Sequence, residues 1–152
     1  MRTALQTFGV TLLAVLLVSV GPLARPAERT VEIQVGDHMK FSPAAIDAKA
    51  GESIRVVLKH VGTMPKAAMG HNFVLLKKGV NPKAYVDKAA SARDTDFVPP
   101  ALKDQVIAAT RLIGPGETSE ASFTAAATGE YDFICTFPGH FALGMRGKLR
   151  VQ

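Results

Sequence analysis

The segment Tyr131–Gln152, YDFICTFPGHFALGMRGKLRVQ, places an unusual loop between two strand-like stretches. Alternating apolar residues lead into Cys135, a Pro-Gly pair marks a turn, and a second alternating stretch begins after Met145. The loop between the predicted strands therefore holds Cys135, His140 and Met145 at one end of the sheet. Cys135 is the sole cysteine among the 152 residues, so it has no disulfide partner within this sequence.

Other stretches with a two-residue apolar period precede this segment. In TVEIQV, residues 30–35, the apolar side chains fall on one side, and in SIRVVLKH, residues 53–60, Ile54, Val56, Leu58 and His60 share a face. Many short strands separated by Gly and Pro clusters predict an all-β fold, an antiparallel sandwich or barrel. The predicted strands are 30–35, 53–60, 71–77, 105–110, 118–124, 130–135 and 147–152.

One interval departs from the strand pattern. Residues 81–92, NPKAYVDKAASA, begin with Asn81 as a helix N-cap and Pro82 at the first helical position, and good helix formers follow. We expect one short helix there, forming a flap between strands, and then a loop through Pro99 and Pro100. The sequence shows no internal repeat, and we expect residues 25–152 to form a single domain.

The N-terminal segment has the pattern of a secretory signal. Arg2 precedes an uninterrupted apolar run that ends before Gly21-Pro22, and we assign residues 1–24 to the signal. An uncleaved membrane anchor is the alternative, because no charge interrupts the run. Loss of the segment removes Arg2 and lowers the formal net charge from +5 to +4. The expected location is the periplasm, and no Lys/Arg run suggests nucleic-acid binding.

The chemistry of the Cys135 loop favours copper. Soft sulfur ligands suit Cu(I), and imidazole also accommodates Cu(II). A site with two histidines, one cysteine and a weak methionine ligand needs a second histidine, which His71 in MGHNF supplies at the start of a predicted strand. These residues predict one type 1 copper.

Three alternative roles fit the same residues less well. Cys135 and His140 could form a nucleophile and its base, but no third orienting group is evident and Met145 would have no role. A buried, inert cysteine would leave the neighbouring histidine and methionine as coincidence. Zinc prefers harder or more numerous ligands than this set provides.

Three motifs, MPKAAMGHNFVLL, ATRLIGPGE and YDFICTFPGHFALGM, resemble the azurins, blue copper proteins of the cupredoxin family. The resemblance extends from about Val31 to the C-terminus and includes the helical flap. It implies a Greek-key β-sandwich and a copper site formed by five residues. The implied copper ligands are His71, Cys135 and His140 in a plane, Met145 as the axial sulfur and the Gly70 carbonyl on the opposite side.

The resemblance also implies roles for residues around the ligands. Asn72 and Thr136 would hold the two ligand segments together and tune the thiolate by hydrogen bonding. His60 would be a buried histidine that does not bind the metal, and we expect His38 to lie on the surface. Two features differ from azurins: four residues separate His140 from Met145 instead of three, and the azurin disulfide cannot form.

The expected function is that of an electron carrier, not an enzyme, with delivery of copper as the alternative. The resemblance implies monomeric behaviour and redox partners such as c-type cytochromes, reductases or oxidases. Three of the basic residues, Lys40, Lys66 and Arg146, lie beside the expected docking patch, so we expect a partner with an acidic rim. The patch around the His140 edge would be apolar and formed by Met39, Met64, Met69, Phe137, Pro138, Phe141 and Ala142.

Overall fold

The computed structural model describes residues 27–152, which form two sheets packed face to face. The predicted signal segment, residues 1–24, lies outside the described residues. One sheet has three strands in the order β1-β3-β6 and the other has five in the order β2-β8-β7-β4-β5. Their bounds are β1 Arg29–Val35, β2 Ala45–Ala48, β3 Ser53–His60, β4 Val74–Leu76, β5 Val106–Ala109, β6 Thr118–Thr124, β7 Gly129–Ile134 and β8 Arg146–Val151.

The all-β sandwich with a helical flap is confirmed, but two of its strand pairs are not antiparallel. β1 runs parallel to β3, with Val31 opposite Val56, and β2 runs parallel to β8. Parallel neighbours need a crossover connection. Here the connection from β1 to β3 crosses over through β2, which belongs to the other sheet. The chain therefore enters β3 in the same direction as β1.

The predicted strand positions agree with most of the observed strands. Strands β3 and β6 have the predicted bounds, whereas the stretch 71–77 contributes only Val74–Leu76 to a strand. Two short elements were not predicted from the sequence. They are β2, which is only four residues long, and the helix α1, Lys66–Met69, which comes just before His71.

The main core fills the space between the two sheets. The apolar face of β3 is fully buried there and meets aromatic rings from the five-stranded sheet. The Phe73 and Phe133 rings lie 5.0 Å apart, and the Phe41 ring meets Phe133 edge-on at 5.2 Å. Cys135 and Met145 belong to the same buried cluster, so the ends of the loop that carries the candidate ligands are fixed in the core.

The helical flap, α2 Pro82–Ala89, covers the outer face of the five-stranded sheet. Its predicted cap is present, because the Asn81 side chain accepts a hydrogen bond from the Ala84 backbone N–H at 3.1 Å. Tyr85 and Ala89 are buried in a second cluster with residues from β4 and β7. The helix ends three residues before the predicted boundary. Among residues 27–152, no helix is both long and apolar enough to cross a bilayer.

We expect Tyr85→Phe to leave the protein as stable as the wild type or to stabilise it. The Tyr85 hydroxyl is buried without a hydrogen-bond partner, and burial raises the pKa of Tyr85 to about 12. An unsatisfied buried polar group costs about 1–3 kcal/mol, which the substitution would relieve. The urea midpoint measures the change.

Tyr131→Phe is the matched control for this substitution. The Tyr131 hydroxyl donates a hydrogen bond to the Ala127 carbonyl at 2.8 Å, so its loss should destabilise the protein by about 0.5–1.5 kcal/mol. A Tyr85→Phe variant as destabilised as Tyr131→Phe would show that the Tyr85 hydroxyl has a partner after all.

Candidate metal centre

Three buried side chains bring their donor atoms together at one end of the sandwich. One ligand atom each from His71, Cys135 and His140 lies within 4.8 Å of the others. The Cys135 Sγ is 3.6 Å from the His140 Nδ1 and 3.9 Å from the His71 Nδ1. Two imidazole nitrogens and one sulfur around a common point form a donor set that suits copper.

The loop between β7 and β8 positions two of these donors. Cys135 directly follows β7, and its backbone N–H donates to the Met145 carbonyl at 3.3 Å. The Met145 N–H in turn donates to the His140 carbonyl at 3.0 Å. Gly139 and Gly144 have φ values of 87° and 92°, which other residues rarely adopt. The two glycines therefore allow the tight turns that return His140 to Cys135.

Backbone contacts fix the third donor, His71, on a different segment. His71 and Ile113 exchange two backbone hydrogen bonds, of 3.0 Å and 2.8 Å. The His71 Nε2 lies 3.1 Å from the Gly36 carbonyl oxygen. A carbonyl only accepts hydrogen bonds, so Nε2 carries the proton and Nδ1, which faces Cys135, keeps a free lone pair.

Asn72 joins the two ligand segments. Its Oδ1 accepts a hydrogen bond from the Thr136 backbone N–H at 2.9 Å, and its Nδ2 donates to the Thr136 Oγ1 at 2.7 Å. The same Nδ2 donates to the Asp96 carbonyl at 2.8 Å. Asn72 and Thr136, which were predicted to hold the two ligand segments together, are therefore in direct contact. The structure adds Asp96, a left-handed residue with no recognisable sequence signal.

Comparisons with known proteins agree with this geometry. The family model for copper binding proteins of the plastocyanin/azurin family matches residues 27–152. Azurin of Pseudomonas aeruginosa is 41% identical over 130 residues, covering 83% of this chain and 86% of that protein. The chain belongs to the plastocyanin/azurin family.

Two further relatives show how far the similarity extends. A solved azurin, Az-iso2 of Methylomonas sp. strain J, superposes with a TM-score of 0.73 and 36% identity, covering 82% of this chain and 98% of that one. Outer membrane protein H.8 of Neisseria gonorrhoeae is 44% identical over 120 residues, which is 77% of this chain. This chain spans only 64% of the length of that relative.

In this cupredoxin, the His-Cys-His cluster fits one type 1 copper. Burial lowers the pKa of His71 to about 4, and repulsion from His140 and His60 adds to the effect. Burial also lowers the pKa of His140 to about 4 and raises the pKa of the Cys135 thiol to about 11. At neutral pH both imidazoles are therefore uncharged, and each has one nitrogen with a free lone pair. The thiol is protonated, so metal binding must displace its proton.

His60 supports the site without offering it a ligand. Its ring stacks on His71, with centroids 5.1 Å apart and planes at 29°. The His60 Nδ1 accepts a hydrogen bond from the Gly62 N–H at 3.1 Å, so Nε2 carries the proton and donates to the Met69 carbonyl at 3.1 Å. Both nitrogens are engaged, as expected for a buried histidine. His38 is exposed, also as expected.

The two remaining predicted ligands are both buried. Met145 has no exposed surface and packs in the same core cluster as Cys135. Gly70 follows α1 in a crowded position, since a Cβ there would lie 2.8 Å from the Lys66 carbonyl oxygen. Any side chain at residue 70 would therefore push the backbone before His71 out of place.

The predicted apolar patch is only partly present at the surface. Met69 is just 9% exposed, so the prediction that it belongs to the surface patch is wrong. Its side chain points from α1 into the protein. Met39 is half-buried and packs against the core, as does Phe137. Phe141 is half-buried, whereas Pro138 and Ala142 are exposed.

The most exposed large apolar side chain of the ligand loop, Leu143, was not among the predicted patch residues. Leu143 is 65% exposed and Met64 is 40% exposed, and Val61 beside His60 is 55% exposed. The extra residue between His140 and Met145 could have predicted the exposure of Leu143, because a longer loop extends further from the protein. We call the exposed and half-buried apolar residues around the site the apolar rim; they are Met39, Val61, Met64, Phe137, Pro138, Phe141, Ala142 and Leu143.

The three basic residues expected beside the patch differ in whether an acidic side chain of the same molecule pairs with them. Lys66 forms an ion pair with Glu117 at 2.9 Å, which neutralises much of its charge. Arg146 is exposed and lies over the Phe141 ring, 5.6 Å from its centroid. Lys40 is exposed. Lys40 and Arg146 therefore remain the better candidates for attracting an acidic partner.

We expect the metal-free protein to lose stability as the pH falls from 6.5 towards 4. The pKa of both histidines is lowered from 6.5 to about 4 in the folded chain, so in this range the unfolded chain binds more protons. The free energy of unfolding must then decrease with acidification. Urea titrations at several pH values measure this slope.

His71→Gln should reduce that slope, whereas His38→Gln, at an exposed position, should leave it unchanged. If His71→Gln kept the wild-type pH dependence, protonation of His71 would not contribute to it.

Proposed function

We propose that this chain is an electron carrier that holds one type 1 copper at the His-Cys-His cluster. The observation that supports this most strongly is the convergence of three buried donor atoms within 4.8 Å. When bound, copper supplies one-electron chemistry by alternating between Cu(I) and Cu(II). The protein supplies the donor atoms, keeps them in place and excludes water.

The ligand roles are assigned residue by residue. His71 and His140 offer their Nδ1 atoms, and Cys135 offers its sulfur. Met145 would offer a weak sulfur donor, and Gly70 would offer its backbone carbonyl oxygen. Asn72 and Thr136 keep the two ligand segments at a fixed separation through their two hydrogen bonds.

The burial of the donors supports a carrier over an enzyme or a delivery protein. His71 and Cys135 are fully buried and His140 is 4% exposed. An enzyme would need space for a substrate at the metal, and a delivery protein would need ligands that a recipient can reach. An electron needs neither, because it can leave through the His140 ring, which contacts Phe137 at 4.6 Å between centroids.

The apolar rim is the proposed contact surface for redox partners. Small apolar contacts allow brief docking, and charge increases the encounter rate. With a formal net charge that falls from +5 to +4 when the predicted signal segment with Arg2 is lost, the mature protein would favour partners with an acidic rim, such as c-type cytochromes, reductases or oxidases. We place the mature protein in the periplasm, in keeping with the predicted signal segment, and propose that it acts as a monomer, as the resemblance to azurins implies.

We expect Cys135→Ser to abolish the intense blue absorption of the Cu(II) protein, because that band arises from charge transfer from the thiolate. The variant should still fold, since the core consists mainly of strand residues. Visible absorption and circular dichroism test both statements, with His38→Gln as the control that keeps the colour. A Cys135→Ser protein that retained the band would contradict the thiolate assignment.

We expect Met145→Leu to raise the reduction potential while copper and colour are retained. Leucine fills the buried space but removes a weak sulfur donor, which destabilises Cu(II) more than Cu(I). Voltammetry measures the change. An unchanged potential would mean that Met145 does not bind the metal.

We expect Leu143→Glu and Met64→Glu each to slow electron self-exchange by about tenfold or more, because docking would then bury a charged side chain in an apolar contact. The absorption spectrum should not change, since neither residue is a proposed ligand. NMR line broadening in mixtures of reduced and oxidised protein measures the rate.

Ser122→Glu, at an exposed position of β6 in the three-stranded sheet, adds the same charge away from the rim and is the control. Equal rates in all three variants would place the electron's exit elsewhere.

A further inference from the structure

We propose that Asp37 is a positioning residue for the metal centre. Its carboxylate fastens the loop 61–64 to the turn 36–39, and the turn carries the carbonyl group that orients His71. The proposal rests on the proposed function insofar as it treats His71 as a ligand. It concerns a residue in the loop after β1 that has no donor role itself.

The Asp37 carboxylate collects several hydrogen bonds from one short loop. Thr63 donates its backbone N–H to both carboxylate oxygens, at 3.2 and 3.0 Å, and its hydroxyl to Oδ2 at 3.1 Å. The Met64 backbone N–H donates to Oδ1 at 3.2 Å. The backbone hydrogen bonds from Thr63 and Met64 also lower the pKa of Asp37 below its usual value. A single side chain thus satisfies two successive backbone donors of the loop.

The turn and the loop touch so closely that both need glycine. A Cβ on Gly36 would lie 2.9 Å from the Gly62 backbone nitrogen. A Cβ on Gly62 would collide with the Asp37 Oδ1 and would lie 2.8 Å from the Asp37 backbone nitrogen. The Val61 N–H also donates to the Val35 carbonyl at 2.9 Å. Any widening of this contact would therefore move the Gly36 backbone.

Gly36 passes this constraint on to the metal centre. Its carbonyl oxygen accepts a hydrogen bond from the Met39 N–H at 2.9 Å and one from the His71 Nε2 at 3.1 Å. The second bond sets both the tautomer and the orientation of the His71 ring. If the turn shifts, His71 can rotate and its Nδ1 no longer faces Cys135.

The loop 61–64 also contacts the other side of the site. Its Gly62 N–H donates to the His60 Nδ1 at 3.1 Å, and the His60 ring stacks on His71. The Asp37 carboxylate therefore stabilises two contacts of His71. One is the Gly36 carbonyl, which accepts from its Nε2, and the other is the His60 ring, which stacks on its face. This double dependence distinguishes Asp37 from an ordinary loop-capping residue.

The test compares four variants of the full chain. Asp37→Ala removes all the acceptors. Asp37→Asn is the conservative variant, because its Oδ1 can accept from the Thr63 and Met64 N–H groups and its amide can donate to the Thr63 hydroxyl. Gly62→Ala forces the loop and the turn apart, because its Cβ would meet the Asp37 backbone nitrogen and carboxylate, but it leaves the carboxylate chemically intact. Asp104→Ala removes an exposed carboxylate as the charge control.

Two readouts are used. The first is the rate at which excess chelator removes Cu(I), together with the electron paramagnetic resonance spectrum of the Cu(II) form. The second is the set of His71 ring signals in NMR spectra of the metal-free protein. Asp37→Ala and Gly62→Ala should lose copper about tenfold faster than the wild type, as expected when support of a ligand is lost. Both should shift the His71 signals, whereas Asp37→Asn and Asp104→Ala should stay close to the wild type.

Wild-type copper loss and unshifted His71 signals in Asp37→Ala would overturn the proposal. Should that variant not fold, the same result in Gly62→Ala would overturn it. A defect in Asp37→Asn as large as that of Asp37→Ala would also overturn it, because charge and not position would then be the cause. A wild type without the blue band would refute the proposed function instead, and the metal-free NMR comparison would still decide the role of Asp37.

Discussion

The two hydrogen bonds between Asn72 and Thr136 join segments that are far apart in sequence, and the metal centre depends on that junction. Asn72 follows His71, and Thr136 follows Cys135. The hydrogen bonds between Asn72 and Thr136 therefore also fix the distance between the two ligands His71 and Cys135, which lie near the ends of β4 and β7. The flanking strands are antiparallel neighbours in the five-stranded sheet, so the sheet brings the segments together and the side-chain bonds set their spacing. Copper needs only to bind donors that the fold has already assembled.

Burial gives this arrangement its chemical character. Removing the imidazoles and the thiol from water disfavours their charged forms, which keeps the imidazoles ready to bind and the thiol protonated until a metal arrives. Each ring is also held by a second contact, His71 by Gly36 and His60, and His140 by Phe137. A site held this firmly changes little when an electron enters or leaves, which is the property that a carrier requires.

Much of this could be predicted from sequence because it depends on local pattern. The alternation in β3 and β6 gave their bounds, Asn81-Pro82 gave the start of the flap, and the ligand-loop residues indicated copper. Features that depend on tertiary contacts could not be predicted. The parallel pairing of β1 with β3 follows from a crossover between sheets, and α1 buries Met69, whose sequence context looks like an exposed loop. The Lys66–Glu117 ion pair and the contacts of Asp37 join residues whose spacing in the chain carries no signal.

The central claim is that the fold, and not the metal, assembles the donor atoms. Crystal structures of the metal-free and Cu(I) forms test it most directly. We expect the Cys135 Sγ and the two Nδ1 atoms to keep the same mutual arrangement in both forms, with donor atoms within about 4.8 Å of one another, and the Asn72–Thr136 hydrogen bonds to persist. A metal-free structure in which the Cys135–Met145 loop opens, or in which His71 turns away from Cys135, would contradict it.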